Sequence, residues 1–172
     1  MPTRTRTPNV AAAQWSPNGG ALGQAFTPSL GGLFLDKSGA FVGTTVAGGL
    51  YQGGTVFGLL PPPGPGKLWT YGVIYSFGKP RANGLDPEGG VIVVDHAIYG
   101  TTAAGGASGS GVAFRLTQAR GGIWKETGLY SFGQSPDGVL PEAAPLFYQG
   151  ALYGTTYAGG AENLGTIYRI AP

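Results

Sequence analysis

Short apolar runs separated by turn residues organise the chain from end to end. Runs such as Val91-Ile92-Val93-Val94 and Leu146-Phe147-Tyr148 are rich in β-branched and aromatic residues, which is typical of strands. A two-residue turn, Asp95-His96 or Gln149-Gly150, joins each run to another apolar run. No segment places apolar residues at i, i+3, i+4 and i+7 over the length that a helix needs. The pattern predicts an all-β protein of antiparallel hairpins with almost no helix.

A repeat of about 55 residues underlies this pattern. Gly-Thr-Thr begins at Gly43, Gly100 and Gly154, with separations of 57 and 54 residues. A Gly pair begins five residues after each of these glycines, and a short strand begins eleven residues after each. A second block, Trp followed six residues later by Tyr-Ser-Phe-Gly, begins at Trp69 and Trp124. Spacings that recur in three units predict a tandem repeat.

Each period contains four predicted strands, which is the content of one β-propeller blade. They are an inner apolar strand, the strand before Gly-Thr-Thr, the strand after the Gly pair, and the strand from Trp to Tyr-Ser-Phe. We therefore predict three four-stranded antiparallel blades in one repeat domain over residues 10–172, after a tail of residues 1–9. The units are about 10–75, 76–130 and 131–172.

The two ends of the repeat domain predict self-assembly. The last unit ends without a strand of the Trp and Tyr-Ser-Phe type, whereas residues 10–16 stand where such a strand would precede the first unit. The N-terminal strand is therefore expected to complete the last blade. Three blades are fewer than the four to eight that close a ring. We expect a homodimer with six blades, in which this strand pairs beside residues 165–170 of the other chain.

Several longer motifs resemble a known family. They are Leu152-Tyr153-Gly154-Thr155-Thr156, the segment from Asn163 to Tyr168, and Leu129-Tyr130-Ser131-Phe132-Gly133. Over residues 14–172 the chain resembles the Gloeobacter/Verrucomicrobia-type (GloVer) tandem repeat of bacterial "choice-of-anchor" proteins. It departs at Val112-Ala113, at Gln14-Trp15-Ser16, and in the Pro-rich insert at 61–66. The resemblance implies an extracellular or cell-surface protein, and it implies no catalytic residue and no cofactor.

Composition narrows the classes of partner. Gly and Pro make up 48 of 172 residues, which without the repeat would indicate disorder. Apart from Arg4 and Arg6 near the start, basic and acidic residues balance at eight each, so no basic face for nucleic acid is expected. The absence of cysteine excludes disulfides and thiolate chemistry. No apolar run approaches the ~20 residues of a membrane span, and no intact signal peptide is recognisable, which leaves the compartment open.

Carboxylates are the strongest candidates for chemistry. Glu88 and Glu142 each follow a proline just before an inner strand, so in a propeller both would line one mouth of the channel, with Asp86 and Asp137 on neighbouring loops. Paired carboxylates can bind a cation or act as acid and base on a sugar. The alternative is that they cap turns and face water. The single histidine, His96, is expected to be an exposed turn residue, and we predict no metal site and no cofactor.

Aromatic residues divide into two groups. Those at fixed repeat positions (Trp69, Tyr75, Trp124 and Tyr130) are expected to pack between blades. Tyr51, Tyr71 and Tyr157 depart from the repeat and are free to lie on a surface. The threonines of Gly-Thr-Thr are expected to form hydrogen bonds within a turn.

The sequence favours a non-catalytic binding or scaffold module for a glycan, peptide or protein. The alternatives are a glycan-active hydrolase or lyase using Glu88 and Glu142, and a purely structural part of a larger array. The candidate ligand-binding residues are Glu88, Glu142, Asp86, Asp137, Tyr51 and Tyr157.

Overall fold

Every regular element in the described part of the chain is a β-strand. A computed structural model describes residues 25–29, 31–65, 67–79, 83–133 and 136–172, and none of these residues is helical. The predicted strand at residues 10–16 and the tail at 1–9 lie outside the described residues. The strands are β1 (Ala25–Pro28), β2 (Phe34–Leu35), β3 (Phe41–Gly48), β4 (Thr55–Leu60), β5 (Thr70–Ser76), β6 (Gly84–Leu85), β7 (Val91–Val94), β8 (Ala97–Thr102), β9 (Ala104–Gly105), β10 (Val112–Gln118), β11 (Trp124–Ser131), β12 (Gly138–Val139), β13 (Leu146–Tyr148), β14 (Ala151–Thr155), β15 (Ala158–Gly159) and β16 (Ile167–Ile170).

Three antiparallel sheets follow the three repeat units. The second sheet has the order β7-β8-β10-β11, which is the predicted four-stranded unit. In the first sheet β3, β4 and β5 are neighbours in that order, and β1 and β2 both pair with β3. The third sheet has three strands in the order β13-β14-β16. The prediction of an all-β protein with antiparallel sheets is confirmed.

A two-stranded ladder that the sequence analysis did not predict recurs in every unit. It pairs Gly84 with Gly105 in the second unit and Gly138 with Gly159 in the third. In the first unit Ala25 pairs with Gly48 at the end of β3. Each ladder holds the segment before an inner strand against the Gly pair of the same unit. The Gly pairs serve this ladder because they adopt positive φ, which glycine reaches without strain.

The Gly-Thr-Thr motifs do not form turns, which corrects the prediction made for their threonines. They lie in the extended strands β3, β8 and β14, with Thr156 directly after the end of β14, and most of their threonines are buried. The second threonine of each motif donates to the carbonyl two residues ahead, as from Thr102 Oγ1 to Ala104 O at 2.9 Å. In the last two units it also accepts from a backbone amide, that of Val112 or Thr166. It therefore braces the end of the strand from within the sheet.

The hydrophobic core lies between consecutive sheets. Successive side chains of a strand point to opposite faces, so the middle sheet contributes to two layers. One layer lies between the first and second sheets and contains Val42, Val56, Phe77, Val91, Ile98, Val112, Phe114 and Leu116. The other lies between the second and third sheets and contains Ala97, Tyr99, Ala113, Phe132, Leu152, Tyr168 and Ile170. We call the contact between the first and second sheets the first junction, and that between the second and third sheets the second junction.

Candidate functional site

The predicted carboxylates Glu88 and Glu142 lie near each other where the inner strands begin. There the backbone of Gly90 touches Gly31 of the first unit, and Gly89 lies against Ala143 of the third. Burial raises the pKa of Glu88, and the charges of Glu142 and Asp86 raise it further. Glu88 is half-buried and Glu142 is exposed. Among the described residues, no group of three His, Cys, Asp or Glu side chains is placed to hold a metal ion.

Asp86 has a backbone role that is repeated in every unit. It has a φ of 56°, in the left-handed region, and it precedes a proline, as do Thr27 and Leu140 with φ values of 53° and 58°. The amide of Asp86 donates to Gly53 O at 3.0 Å, and its carbonyl accepts from Ala103 N at 2.9 Å. Burial raises the pKa of its carboxyl group. Since Thr, Asp and Leu all occupy this position, the backbone geometry rather than the carboxylate is its common feature.

Asp137 accepts hydrogen bonds from the end of β11 and from the segment that follows it. Its carboxylate accepts from Tyr130 Oη at 3.0 Å, from Gly133 N at 3.1 Å and from Gly138 N at 2.8 Å. Burial, together with the hydrogen bond to Asp137 and its charge, raises the pKa of Tyr130. Asp137 is therefore a structural acceptor rather than a residue of the Glu88 and Glu142 region.

The candidate tyrosines lie apart from the carboxylates. Tyr51 borders an uncharged groove of about 790 Å³ between β5 and β11, and Lys79 Nζ lies 5.8 Å from the centre of its ring. Tyr71, Tyr75 and Trp124 line the same groove. Tyr157 follows β14 and is exposed.

The remaining motifs are structural. Asp95 and His96 have φ values of 47° and 63°, which make the two-residue hairpin turn that the sequence predicted, and His96 is exposed. Of the repeat-position aromatics, Trp124 packs against the first core layer, whereas Trp69 contacts Phe41 of its own sheet at 5.4 Å.

Threonines missed by sequence reasoning link each unit to the next. Thr44 Oγ1 donates to Gly89 O at 2.9 Å across the first junction. The equivalent Thr101 Oγ1 donates to Ala143 O at 3.1 Å across the second. The third member, Thr155, is exposed. The repetition of Gly-Thr-Thr indicated that these threonines have a shared role. It did not indicate their hydrogen-bond partners, which are more than forty residues away in the sequence.

The Tyr-Ser-Phe blocks provide the aromatic half of each junction. Phe77 follows β5 and meets Phe114 of the second sheet edge-on, with ring centroids 5.0 Å apart and planes at 63°. Phe132 follows β11 and meets Tyr168 of the third sheet at 5.1 Å and the same angle. Both phenylalanines are fully buried. The two junctions are thus built by the same contacts.

A buried carboxylate distinguishes the first junction. Glu126 of β11 accepts hydrogen bonds from Tyr75 Oη at 2.9 Å and from Gly84 N at 3.1 Å. Tyr75 belongs to β5 of the first sheet, and Gly84 belongs to the ladder strand β6. Asn83 also hydrogen-bonds to Glu126. Burial raises the pKa of Glu126 above its ordinary value although these donors favour the charged form. At the second junction the equivalent donors, Tyr130 and Gly138, are bound by Asp137 instead.

On the outer faces of the first and third sheets, the residues equivalent to those buried in the junctions are exposed. In the face that points toward the next unit, Val56 is 0% and Ala113 is 1% exposed, whereas the equivalent Ile167 is 84% exposed. In the face that points toward the preceding unit, Val91 is 4% exposed and the equivalent Leu33 is 53% exposed. Leu146 and Tyr148 extend the open face of the third sheet. Each open face is therefore half of a junction that the chain completes twice internally.

Comparison with known proteins agrees with the repeat. The described residues include no helix long and apolar enough to cross a membrane. No curated protein and no solved structure matches the chain. The family model of the Gloeobacter/Verrucomicrobia repeat matches residues 27–172. Because this match spans most of the chain and includes strands of all three sheets, the chain belongs to the Gloeobacter/Verrucomicrobia repeat family.

Proposed function

We propose that this protein is a non-catalytic repeat module whose two open faces dock head to tail, so that two copies close a β-propeller ring of six sheets. The ring would act as a scaffold or binding module. Six sheets are within the four to eight that close such rings. A ring of two copies also satisfies both open faces at once, as closed symmetric oligomers do.

The observation that carries the proposal is the match between the open faces and the internal junctions. Within the chain, a face bearing Val56 or Ala113 packs on a face bearing Phe114 or Tyr168. The open face of the third sheet bears the exposed Ile167 at the first of these positions. The face of the first sheet that would meet it bears the exposed Leu33, whereas Phe57 at the second position is buried within its own unit. Uncovered rows of large apolar side chains are uncommon on soluble monomers. A second copy is the proposed occupant, because the chain already makes the equivalent contact twice internally.

The position of β16 supports the same assembly, because no described strand pairs with its outer edge. β16 is at the edge of the third sheet, where the second sheet has β11 as its fourth strand. In the proposed ring, residues 10–16 of the other copy form that strand beside residues 165–170. Removal of residues 1–16 is then expected to dissociate the dimer or to cause aggregation through the exposed edge.

A charge on the open face tests the docking. Ile167→Asp is expected to weaken dimerisation at least tenfold, because a carboxylate buried in an apolar junction is unpaired. Ile123→Asp is the matched control, since Ile123 is 71% exposed but lies in the turn between β10 and β11 of the middle sheet, outside both open faces. Sedimentation velocity over a concentration series measures both. Equal dissociation constants for the two variants would contradict the proposal.

The carboxylates support a second candidate function. Burial and, to a smaller extent, the charge of Glu142 raise the pKa of Glu88, as expected for the acid of a glycan-active hydrolase or lyase. Binding and turnover of a panel of glycans are measured for the native chain and for the variant in which both glutamates are replaced by glutamine. The comparison distinguishes a binding module from an enzyme. A binding module retains binding without turnover in either form, whereas an enzyme shows turnover that the double variant loses.

A further inference from the structure

The two junctions use different carboxylates for the same donors. A tyrosine hydroxyl and a glycine amide, Tyr75 with Gly84 or Tyr130 with Gly138, stand at equivalent positions. In the first junction the acceptor is Glu126, which is 8% exposed and comes from the outer strand of the next sheet. In the second junction the acceptor is Asp137, which comes from the preceding segment itself. The acceptor therefore belongs to the next sheet at the first junction, and to the segment that follows β11 at the second.

Asn83 and Asp137 occupy equivalent positions in the repeat, and the residue type at this position accounts for the different acceptors. Each is the residue before the first glycine of its ladder strand, β6 or β12. Asn83 has amide donors and hydrogen-bonds to both Tyr75 and Glu126. An ionised aspartate has only acceptors. Asp137 therefore satisfies the tyrosine and glycine donors and offers nothing to a second carboxylate.

The outer strands differ at the matching position. Glu126 pairs with Leu116, and in the first sheet Leu59 pairs with Tyr71, so Tyr71 occupies the place of Glu126. One outer strand therefore carries a carboxylate at this point and the other carries an uncharged side chain. Two carboxylates buried together at one junction would repel and would be incompletely paired.

We propose that the residue at the Asn83 and Asp137 position selects the outer strand that each junction accepts. Asn83 accepts a strand that brings a carboxylate, and Asp137 accepts a strand that is uncharged at this point. The second statement deepens the proposed ring, on which it rests. Residues 10–16 contain no charged side chain, so this segment from a second copy meets the requirement of the Asp137 junction. A misplaced β11 strand, which carries Glu126, does not.

A double-mutant cycle in the full chain tests the rule at the first junction. Asn83→Asp is expected to lower the thermal unfolding midpoint by roughly 5 °C or more, because it opposes a second carboxylate to the buried Glu126. Glu126→Gln in the same background should recover most of that loss, since the glutamine amide can donate to the introduced aspartate. If the single variant does not fold, recovery of folded protein in the double variant gives the same answer. A loss that is equal whether glutamate or glutamine faces the introduced aspartate would overturn the rule.

A peptide probe tests the rule at the second junction. Two labelled peptides of residues 124–132 are used, one with the native sequence and one with Glu126→Gln. Their binding is measured by fluorescence anisotropy to the full chain carrying Ile167→Asp, which is expected to be monomeric and to leave the place beside β16 open. The glutamine peptide should bind this chain at least tenfold more tightly, and addition of Asp137→Asn should remove that preference. Equal binding of the peptides, or no binding of either, would overturn the rule at this junction. Failure of the ring proposal is distinguishable, because it leaves the chain monomeric while the cycle at Asn83 still shows coupling.

Discussion

The aromatic residue at the centre of each sheet is phenylalanine in the first two units and tyrosine in the third, so it differs by one hydroxyl group. Phe57, Phe114 and Tyr168 are equivalent, and each lies opposite the glycine of a Gly-Thr-Thr motif. Within the described part of the chain the Tyr168 hydroxyl is buried and has no hydrogen-bond partner. Burial raises the pKa of Tyr168 to about 12. A buried hydroxyl without a partner reduces stability.

Tyr168→Phe is therefore expected to raise the free energy of unfolding by up to ~1 kcal/mol. Tyr75→Phe is the contrasting variant, because it removes a hydroxyl that donates to Glu126 and leaves that carboxylate with one donor fewer. It should lower the free energy of unfolding by ~1–3 kcal/mol. Urea titration measures both, and a loss of stability in Tyr168→Phe equal to that in Tyr75→Phe would contradict the assignment.

Glu126 gives the protein a defined pH dependence. Its pKa in the folded state is raised, so the folded state holds this proton more tightly than the unfolded state does. The stability that it contributes is fully present below the unfolded pKa, near 4.5, and is lost as the pH rises through the folded pKa. The stability of the native protein relative to Glu126→Gln should therefore fall as the pH is raised from 4 toward 7. A difference that is constant across this range, or that increases with pH, would contradict the burial of Glu126.

At the scale of elements, prolines of the following unit close over glycines of the preceding one. Gly111 has a φ of 110°, and a Cβ there would collide with the Thr102 carbonyl oxygen and with the ring of Pro141. Gly54 stands in the same relation to Pro87. These glycines are required both for backbone conformation and for the close approach of two units.

Gly111→Ala is expected to cost ~3 kcal/mol or more of unfolding free energy, because strain and collision add. Gly109→Ala is the matched control, since Gly109 has a φ of 74° but open space around the added methyl group. It should cost ~1–2 kcal/mol. Thermal unfolding compares them, and equal losses would show that the approach of Pro141 does not matter.

The longer strands were predictable because their runs are apolar and their spacing recurs. β7 and β13 have the predicted bounds, and the hairpin turn at Asp95-His96 follows from its length. The ladder strands β6, β9, β12 and β15 have two residues each, which is too short for any periodicity. The partners of Thr44 and Glu126 were not predictable, because burial of these polar side chains depends on a neighbouring sheet. Glu126 lies in a strand of mixed polar and apolar residues, a composition typical of a solvent-facing strand.

At the scale of the whole molecule, the repeat leaves two unlike faces at the ends of a row of three sheets. Each internal junction combines a buried aromatic pair, a threonine bond to the next unit and a satisfied tyrosine. In stacked repeats each unit is stabilised mainly by its neighbours, so end units without a polar cap favour association. Among the described residues, Leu33 on one open face and Ile167 on the other are exposed.

The mass of the full chain in solution tests the central claim most directly. Multi-angle light scattering coupled to size exclusion, at micromolar concentration and physiological salt, should give about twice the 17.4 kDa of one chain. The value should fall toward that of one chain in Ile167→Asp and stay doubled in Ile123→Asp. A native chain that is monomeric at 17.4 kDa and remains so as concentration is raised would contradict head-to-tail closure by two copies.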